Sequence, residues 1–154
     1  MMGQKLMIVL SFMLMSFVLL PNKKRIKIYL IGDSTMCTYE PKQFPVTGWG
    51  MSFATFFDSA LTIDNRARGG RSTKTFISEN RWQPIVDSLQ SGDYVFIQFG
   101  HNHEAKEPQY ADRYTLVEDY KRNLIKFITE ARSKKATPVL ITPVTRMRFD
   151  KEVK

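Results

Sequence analysis

Cysteine and histidine are scarce in this chain of 154 residues: Cys37 is the single cysteine, and His101 and His103 are the two histidines. One cysteine excludes an intramolecular disulfide in any compartment, so packing must hold the fold together. No histidine lies near Cys37 in sequence, so Cys37 reads as a small buried hydrophobe rather than a nucleophile. Internal repeats and low-complexity linkers are absent, and the length allows one domain at most. The phosphate-loop spacing Gly-x-x-x-x-Gly-Lys-Ser/Thr does not occur, and no aromatic residues interleave the basic loop as base-stacking platforms. Both absences argue against a nucleotide-binding domain of flavodoxin-like topology and against nucleic acid.

What the chain does have is apolar bulk and positive charge. Hydrophobic residues make up 43% of it, enough for a packed core and too much for wholesale disorder. The formal charge is +8, of which Lys5 alone falls in the first twenty residues. Such a balance favours polyanionic partners: nucleic acid, anionic lipid heads or an acidic polysaccharide. Lys5 precedes an apolar stretch, Leu6–Leu20, broken only by Ser11 and Ser16. It is shorter than the ~20 residues that span a bilayer and has no polar face at a helical period, so residues 1–20 read as a secretory leader, with an uncleaved anchor as the rival. Export to the periplasm or the exterior is the expectation, with membrane contact only through this leader.

From residue 26 onward, strand and helix patterns alternate. Strands are predicted at Ile26–Ile31, Leu61–Asp64, Tyr94–Phe99 (apolar apart from Gln98) and Pro138–Thr142. Helices are predicted at Gly50–Phe57, with an aromatic face of Trp49, Phe53, Phe56 and Phe57, and at Trp82–Leu89, burying Trp82, Ile85, Val86 and Leu89. A third helix carries the stripe Leu116, Val117, Tyr120, Leu124, Phe127, Ile128 and Ala131, opened by a Thr115/Glu118 capping box. Alternation of this kind predicts an α/β fold, a parallel sheet with right-handed crossovers. Only Val144–Lys154 follows Pro143, so residues 26–154 are expected to be the N-terminal part of a domain, with the last strand and helices missing.

Each strand that should be central ends in a polar loop: Gly32-Asp33-Ser34-Thr35, then Asn65 to Thr73 around Gly69-Gly70, then Gly100-His101-Asn102-His103. In an open parallel sheet such loops share one edge, where ligands bind. Gly-Asp-Ser alone is also an ordinary turn sequence. The set nevertheless suits acyl transfer: Ser34 as nucleophile, with donors for a developing oxyanion from the Ser34 N–H, the Gly-Gly turn and the Asn102 amide.

In their order and separation, Gly-Asp-Ser-Thr, Gly-Gly-Arg-Ser and Gly-His-Asn resemble the first three sequence blocks of the SGNH (GDSL-type) hydrolases. Gly48-Trp49-Gly50, Phe76, Arg81-Trp82, Gly92-Asp93-Tyr94-Val95 and Gln98-Phe99 resemble the rhamnogalacturonan acetylesterase branch, over roughly residues 26–150. The resemblance implies a flavodoxin-like three-layer fold. It also implies Ser34 as catalytic nucleophile and Ser34, Gly70 and Asn102 as oxyanion hole. The reaction it implies is removal of O-acetyl groups from pectic polysaccharide, with no metal or organic cofactor. Two departures stand out: His103 replaces the Asp that usually follows Gly-His-Asn, and no Asp-x-x-His block occurs in the 154 residues. His101 and His103 flank Asn102 on what reads as an extended segment, so both should face away from Ser34. Turnover by this polypeptide alone is therefore expected to be slight, and a non-catalytic carbohydrate-binding remnant is the alternative.

The basic residues Arg66, Arg68, Arg71 and Lys74 surround the Gly-Gly turn. They read as a solvated face or as contacts to galacturonate carboxylates on an acetylated acidic polysaccharide, with Arg71 the candidate ligand. The geometric expectation is that Ser34, Gly70 and Asn102 meet at the carboxyl edge of one sheet.

Overall fold

The computed structural model describes residues 25–57 and 61–145, so the leader lies outside the described residues. Four strands form one parallel sheet in the order β2-β1-β3-β4: β1 (Ile26–Gly32), β2 (Leu61–Asn65), β3 (Tyr94–Gln98) and β4 (Thr137–Leu140). This is the α/β architecture expected from the alternation. β1 is central because it is apolar on both faces. Ile28 and Leu30 point into one core with Met36, Cys37 and Ala67, while Tyr29 and Ile31 point into the other with Phe76, Trp82, Phe99 and Phe127. Cys37 is a free, buried thiol in the first of these cores, as its sequence context suggested.

Helix α1 (Trp49–Phe53) covers the Ile28/Leu30 face. Helices α2 (Thr73–Ser78), α3 (Gln83–Ser88) and α4 (Val117–Ser133) cover the other, completing three layers. Trp82, Ile85, Val86 and Leu89 are all buried, as the α3 pattern required.

Three local expectations are corrected. The aromatic helix stops at Phe53 and continues as a 3-10 turn, Ala54–Phe56, which leaves Phe56 80% exposed. The Thr115/Glu118 capping box does not form. Thr115 Oγ1 instead donates to Arg113 O or to Ser72 Oγ (2.9 and 3.3 Å), Glu118 pairs with Lys121, and α4 begins at Val117 with no side-chain cap. Leu116 and Val117 consequently lie outside the core and line a groove of about 770 Å³ with Tyr114, Tyr120 and Pro143.

Helix α2 was hidden in what reads as loop, since Phe76 is its one fully buried apolar side chain. Its start is set by Ser72, whose Oγ accepts from Thr75 N while Thr75 Oγ1 accepts from Ser72 N (3.3 and 2.9 Å). A Thr thus does what Glu or Gln does in the familiar capping box. Gly48 is held by close approach: a Cβ there would sit 2.1 Å from the Cys37 carbonyl oxygen, so the α1 entrance packs directly on the Ser34 loop.

Phe127 is fully buried and its ring meets Phe76, Trp82 and Phe99 at centroid distances of 4.9–6.4 Å. Phe127→Ala is expected to cost about 3–5 kcal/mol of stability. Urea denaturation followed by tryptophan fluorescence measures it, and a loss below about 1 kcal/mol would mean the α4 face is not packed as described.

Candidate active site

The Ser34 loop is built by its own side chains. Asp33 is 1% exposed, and its Oδ1 accepts from Thr35 N (2.9 Å) and Thr35 Oγ1 (2.8 Å). Its carbonyl accepts from Met36 N and Cys37 N, which turns the chain sharply after β1. Ser34 is left half-buried on the outside of that turn. Tyr39 Oη donates to Ser34 O (3.1 Å), and Trp49 N to Thr35 O (2.9 Å).

Gln98, the polar exception in an apolar strand, ties this loop to its neighbours. Its Oε1 accepts from Trp49 Nε1 (2.7 Å) and lies 3.2 Å from Thr35 Oγ1, and its Nε2 donates to Thr142 O (3.1 Å). The side chain is 3% exposed, and these partners satisfy an amide that would otherwise be costly to bury.

The second loop extends the parallel ladder, with Arg66 N on Leu30 O and Arg68 N on Gly32 O (2.9 and 3.0 Å), before turning at Gly69-Gly70. Gly70 has φ +77°, a conformation that strains any residue with a side chain, and a Cβ there would lie 3.1 Å from the Arg113 guanidinium carbon. A Cβ on Gly69 would lie 3.7 Å from Ser34 Cβ, so the turn lies against the serine loop. The third loop is a 3-10 turn, His101–Glu104, rather than the extended segment expected. Asn102 Nδ2 donates to Arg71 O (3.0 Å), leaving its other amide proton for a ligand. The three loops therefore form one hydrogen-bonded edge. Among the described residues, neither the Ser34 N–H nor the Gly70 N–H is taken by a protein acceptor.

Both imidazoles are committed elsewhere. His103 is 8% exposed. Its Nδ1 faces Gly100 O (3.1 Å), an acceptor, so Nδ1 carries the proton and Nε2 accepts from Thr73 N (3.1 Å). Thr73 Oγ1 lies 2.9 Å from the same Nε2 and itself accepts from Asn123 Nδ2 (3.0 Å). Burial holds the His103 pKa below its ordinary 6.5. His101 Nε2 pairs with Val144 O. Residue alternation no longer explains these orientations on a 3-10 turn; hydrogen bonding does.

The arginines divide. Arg71 Nε pairs with both Glu79 oxygens (3.0 and 3.1 Å) and its Nη1 donates to Gly69 O (3.0 Å). Arg71, helped by Arg81, holds the Glu79 carboxyl below the usual carboxylate range. Arg66 pairs with Asp64. Among the described residues, the Arg68 guanidinium has no partner. Arg113, which sequence reasoning missed, stacks on Tyr110 (4.6 Å) and presses on Gly70; nothing in its local sequence signals that position. Among the described residues, no group of three His, Cys, Asp or Glu side chains is close enough to hold a metal ion.

Residues 28–153 match the family model for GDSL-like lipase/acylhydrolase proteins. The chain is 40% identical over 128 residues to the rhamnogalacturonan acetylesterase RhgT of Bacillus subtilis (strain 168), covering 83% of this chain and 53% of that protein. It is 47% identical over 93 residues to a rhamnogalacturonan acetylesterase of Emericella nidulans, covering 60% of this chain and 34% of that one. The crystal structure of YxiM from Bacillus subtilis superposes with a TM-score of 0.72 at 27% identity, over 84% of this chain and 36% of that one. The acetylxylan esterase Axe2 of Geobacillus stearothermophilus shares the fold at TM-score 0.55 and 20% identity, over 77% of this chain and 59% of that one. The chain spans about half the length of the first two curated relatives it matches, at 53% and 57%.

A neutral, buried His103 makes stability depend on pH with a definite sign. The unfolded imidazole takes up a proton below about 6.5, whereas the folded one resists it, so the unfolded state binds more protons there. Stability is complete above that pH and falls below it. Glu79, held under its ordinary 4.5, acts in a lower window. The urea midpoint is expected to drop between pH 7.5 and 5.5, and His103→Gln to flatten the drop. Equal slopes in the two proteins would remove His103 as the cause.

Proposed function

Because the chain belongs to the GDSL-like lipase/acylhydrolase family, we propose that it carries the nucleophile and oxyanion donors of a carbohydrate esterase acting on O-acetylated pectic polysaccharide of the rhamnogalacturonan type. The observation that carries this reading is the pair of unengaged backbone N–H groups on adjoining loops, Ser34 and Gly70, with the Asn102 amide joined to the second of these loops through Arg71 O. The relatives named rhamnogalacturonan acetylesterase support the substrate class.

In this reading Ser34 Oγ attacks the acetyl carbonyl and its proton passes to a base. The carbonyl oxygen becomes an oxyanion that the Ser34, Gly70 and Asn102 donors stabilise, a contribution worth roughly 3–4 kcal/mol per donor in comparable sites. Collapse expels the sugar hydroxyl with a proton, leaving acetyl-Ser34, and water then releases acetate. The donors belong to a braced edge: Asp33, Asn65 and Gln98 hold the loops by part-buried hydrogen bonds, so little reorganisation is needed as charge develops.

The base is the part these 154 residues do not supply. His103 is tied to Gly100 and Thr73, and His101 to Val144. That commitment favours, for this polypeptide by itself, the second reading of a carbohydrate-binding module with slight turnover, because a serine without its base loses 10³-fold or more in rate. Residues 1–20 are proposed to direct export, on the strength of Lys5 and the Leu6–Leu20 run.

Deacetylation of acetylated rhamnogalacturonan by the 154-residue polypeptide is expected to be barely above background. Appending a C-terminal segment that contains Asp-x-x-His is expected to raise it by orders of magnitude, and Ser34→Ala in that extended chain to abolish it. Turnover on the order of 1 s⁻¹ by the unextended polypeptide would make one of the two imidazoles the base. Retained activity in the Ser34→Ala chain would sink the nucleophile assignment.

A further inference from the structure

Among the described residues, the half-buried Arg113 guanidinium makes no ion pair and no hydrogen bond, although Glu104 and Glu107 line the same cavity of about 250 Å³. Five N–H donors on a partly desolvated cation are costly to leave unused. The residue is nevertheless well fixed. Its backbone N–H donates to Tyr110 O (2.9 Å), and its carbonyl accepts from Thr115 Oγ1 (2.9 Å). The guanidinium stacks over the Tyr110 ring, 4.6 Å from the centroid.

What this cation meets is Gly70. Its central carbon and both terminal nitrogens lie 3.1–3.3 Å from the place a Cβ on Gly70 would occupy, so the absent side chain lets the charge close on the turn. The Gly70 N–H has no protein acceptor among the described residues, and Asn102 lines the same cavity as Arg113. Two of the three proposed oxyanion donors therefore adjoin one uncommitted cation. The third is reached through the neighbouring residue, since a Cβ on Gly69 would lie 3.7 Å from Ser34 Cβ. Backbone and amide N–H groups offer partial charges, whereas a full charge in a partly desolvated setting acts on an anion across several ångströms. Arg71 is closer in sequence but cannot serve, because its guanidinium is spent on Glu79 and Gly69 O.

We infer that Arg113 is the cation of the oxyanion site: acting across Gly70, its charge stabilises the anionic tetrahedral intermediate that Ser34 forms in acyl transfer. Gly70 and Asn102 supply hydrogen bonds, Arg113 supplies the field, and Tyr110 keeps the guanidinium in place. This rests on the proposed carbohydrate esterase reading and adds to it a residue that lies outside the three loop motifs.

Methylboronic acid tests it, because its serine adduct copies the charge of that intermediate and needs no turnover. The Ser34 Oγ–B bond forms, the hydroxyl proton leaves to water, and the four-coordinate boron carries one negative charge. The 154-residue polypeptide is titrated with methylboronic acid and the tetrahedral adduct is followed by boron NMR. Arg113→Gln is expected to weaken the adduct about tenfold, and Arg113→Lys, which keeps the charge, to recover most of that loss. Arg132→Gln, the same charge change at the far end of α4, is expected to leave the adduct unchanged. Urea midpoints of the four chains are expected to agree. Equal affinity in wild type and Arg113→Gln, an equal loss in the Lys and Gln variants, or an equal loss in Arg132→Gln would overturn the inference. A loss that follows the urea midpoint from variant to variant would make Arg113 a brace and overturn it too. Ser34→Ala reports on the esterase reading separately. An adduct that persists in Ser34→Ala, or is missing from wild type, overturns the nucleophile and the inference together. An adduct lost in Ser34→Ala but indifferent to Arg113→Gln overturns the inference alone.

Discussion

A buried amide on the central sheet is the constraint on which the site depends. Gln98 occupies the last position of β3, where a hydrophobic residue would pack without further demands. Its 3% exposure obliges the protein to bring partners to it, because an unpaired buried amide costs about 1–3 kcal/mol. The partners are Trp49 from the entrance of α1, Thr35 beside Ser34 and the Thr142 carbonyl beyond β4. One side chain thus sets the relative positions of three segments far apart in sequence. Asp33 works in the same way over a shorter range. The loop edge is held from beneath by polar groups that water does not reach, while Ser34 itself is half-buried.

The layers explain why that edge is rigid. β1 presents alternate residues to two separate apolar cores, so neither core can loosen without moving the strand that ends in Ser34. α2 begins directly after the Gly69-Gly70 turn, and its cap residue Ser72 lies within hydrogen-bonding reach of Thr115 while its first residue, Thr73, holds His103. The histidines are therefore part of the frame. Their scarcity in the sequence invites a catalytic reading, yet their ring nitrogens close loops.

Electrostatics divides the basic loop into two kinds of arginine. Arg66 and Arg71 are paired with Asp64, on the strand before the loop, and Glu79, just past the end of the helix after it. Arg68 and Arg113 line two separate cavities and have no such partners among the described residues. A run that looks uniform as sequence is thus partly scaffold and partly available charge, and only the available part can meet an anionic ligand.

Strand positions, the α/β class and the three loop motifs were legible in the residues themselves. Continuous apolar runs such as Ile28–Ile31 can be buried only from both sides, and Gly, Asp, Ser and Asn at strand ends mark the turns, whose order and separation set them apart from ordinary ones. α2 was not legible, since its stability comes from a Ser72–Thr75 cap and one buried ring rather than from periodicity. Neither was the true start of α4, because Thr115 is drawn to Ser72 and Arg113 by tertiary contacts that no local pattern encodes. The division of the arginines, the commitment of His103 and the position of Arg113 against Gly70 were likewise decided only in three dimensions. Hydrophobic pattern and turn chemistry act over a few residues and are written in the chain. Partnerships between polar groups thirty or more residues apart exist only after the sheet has brought its loops to one edge.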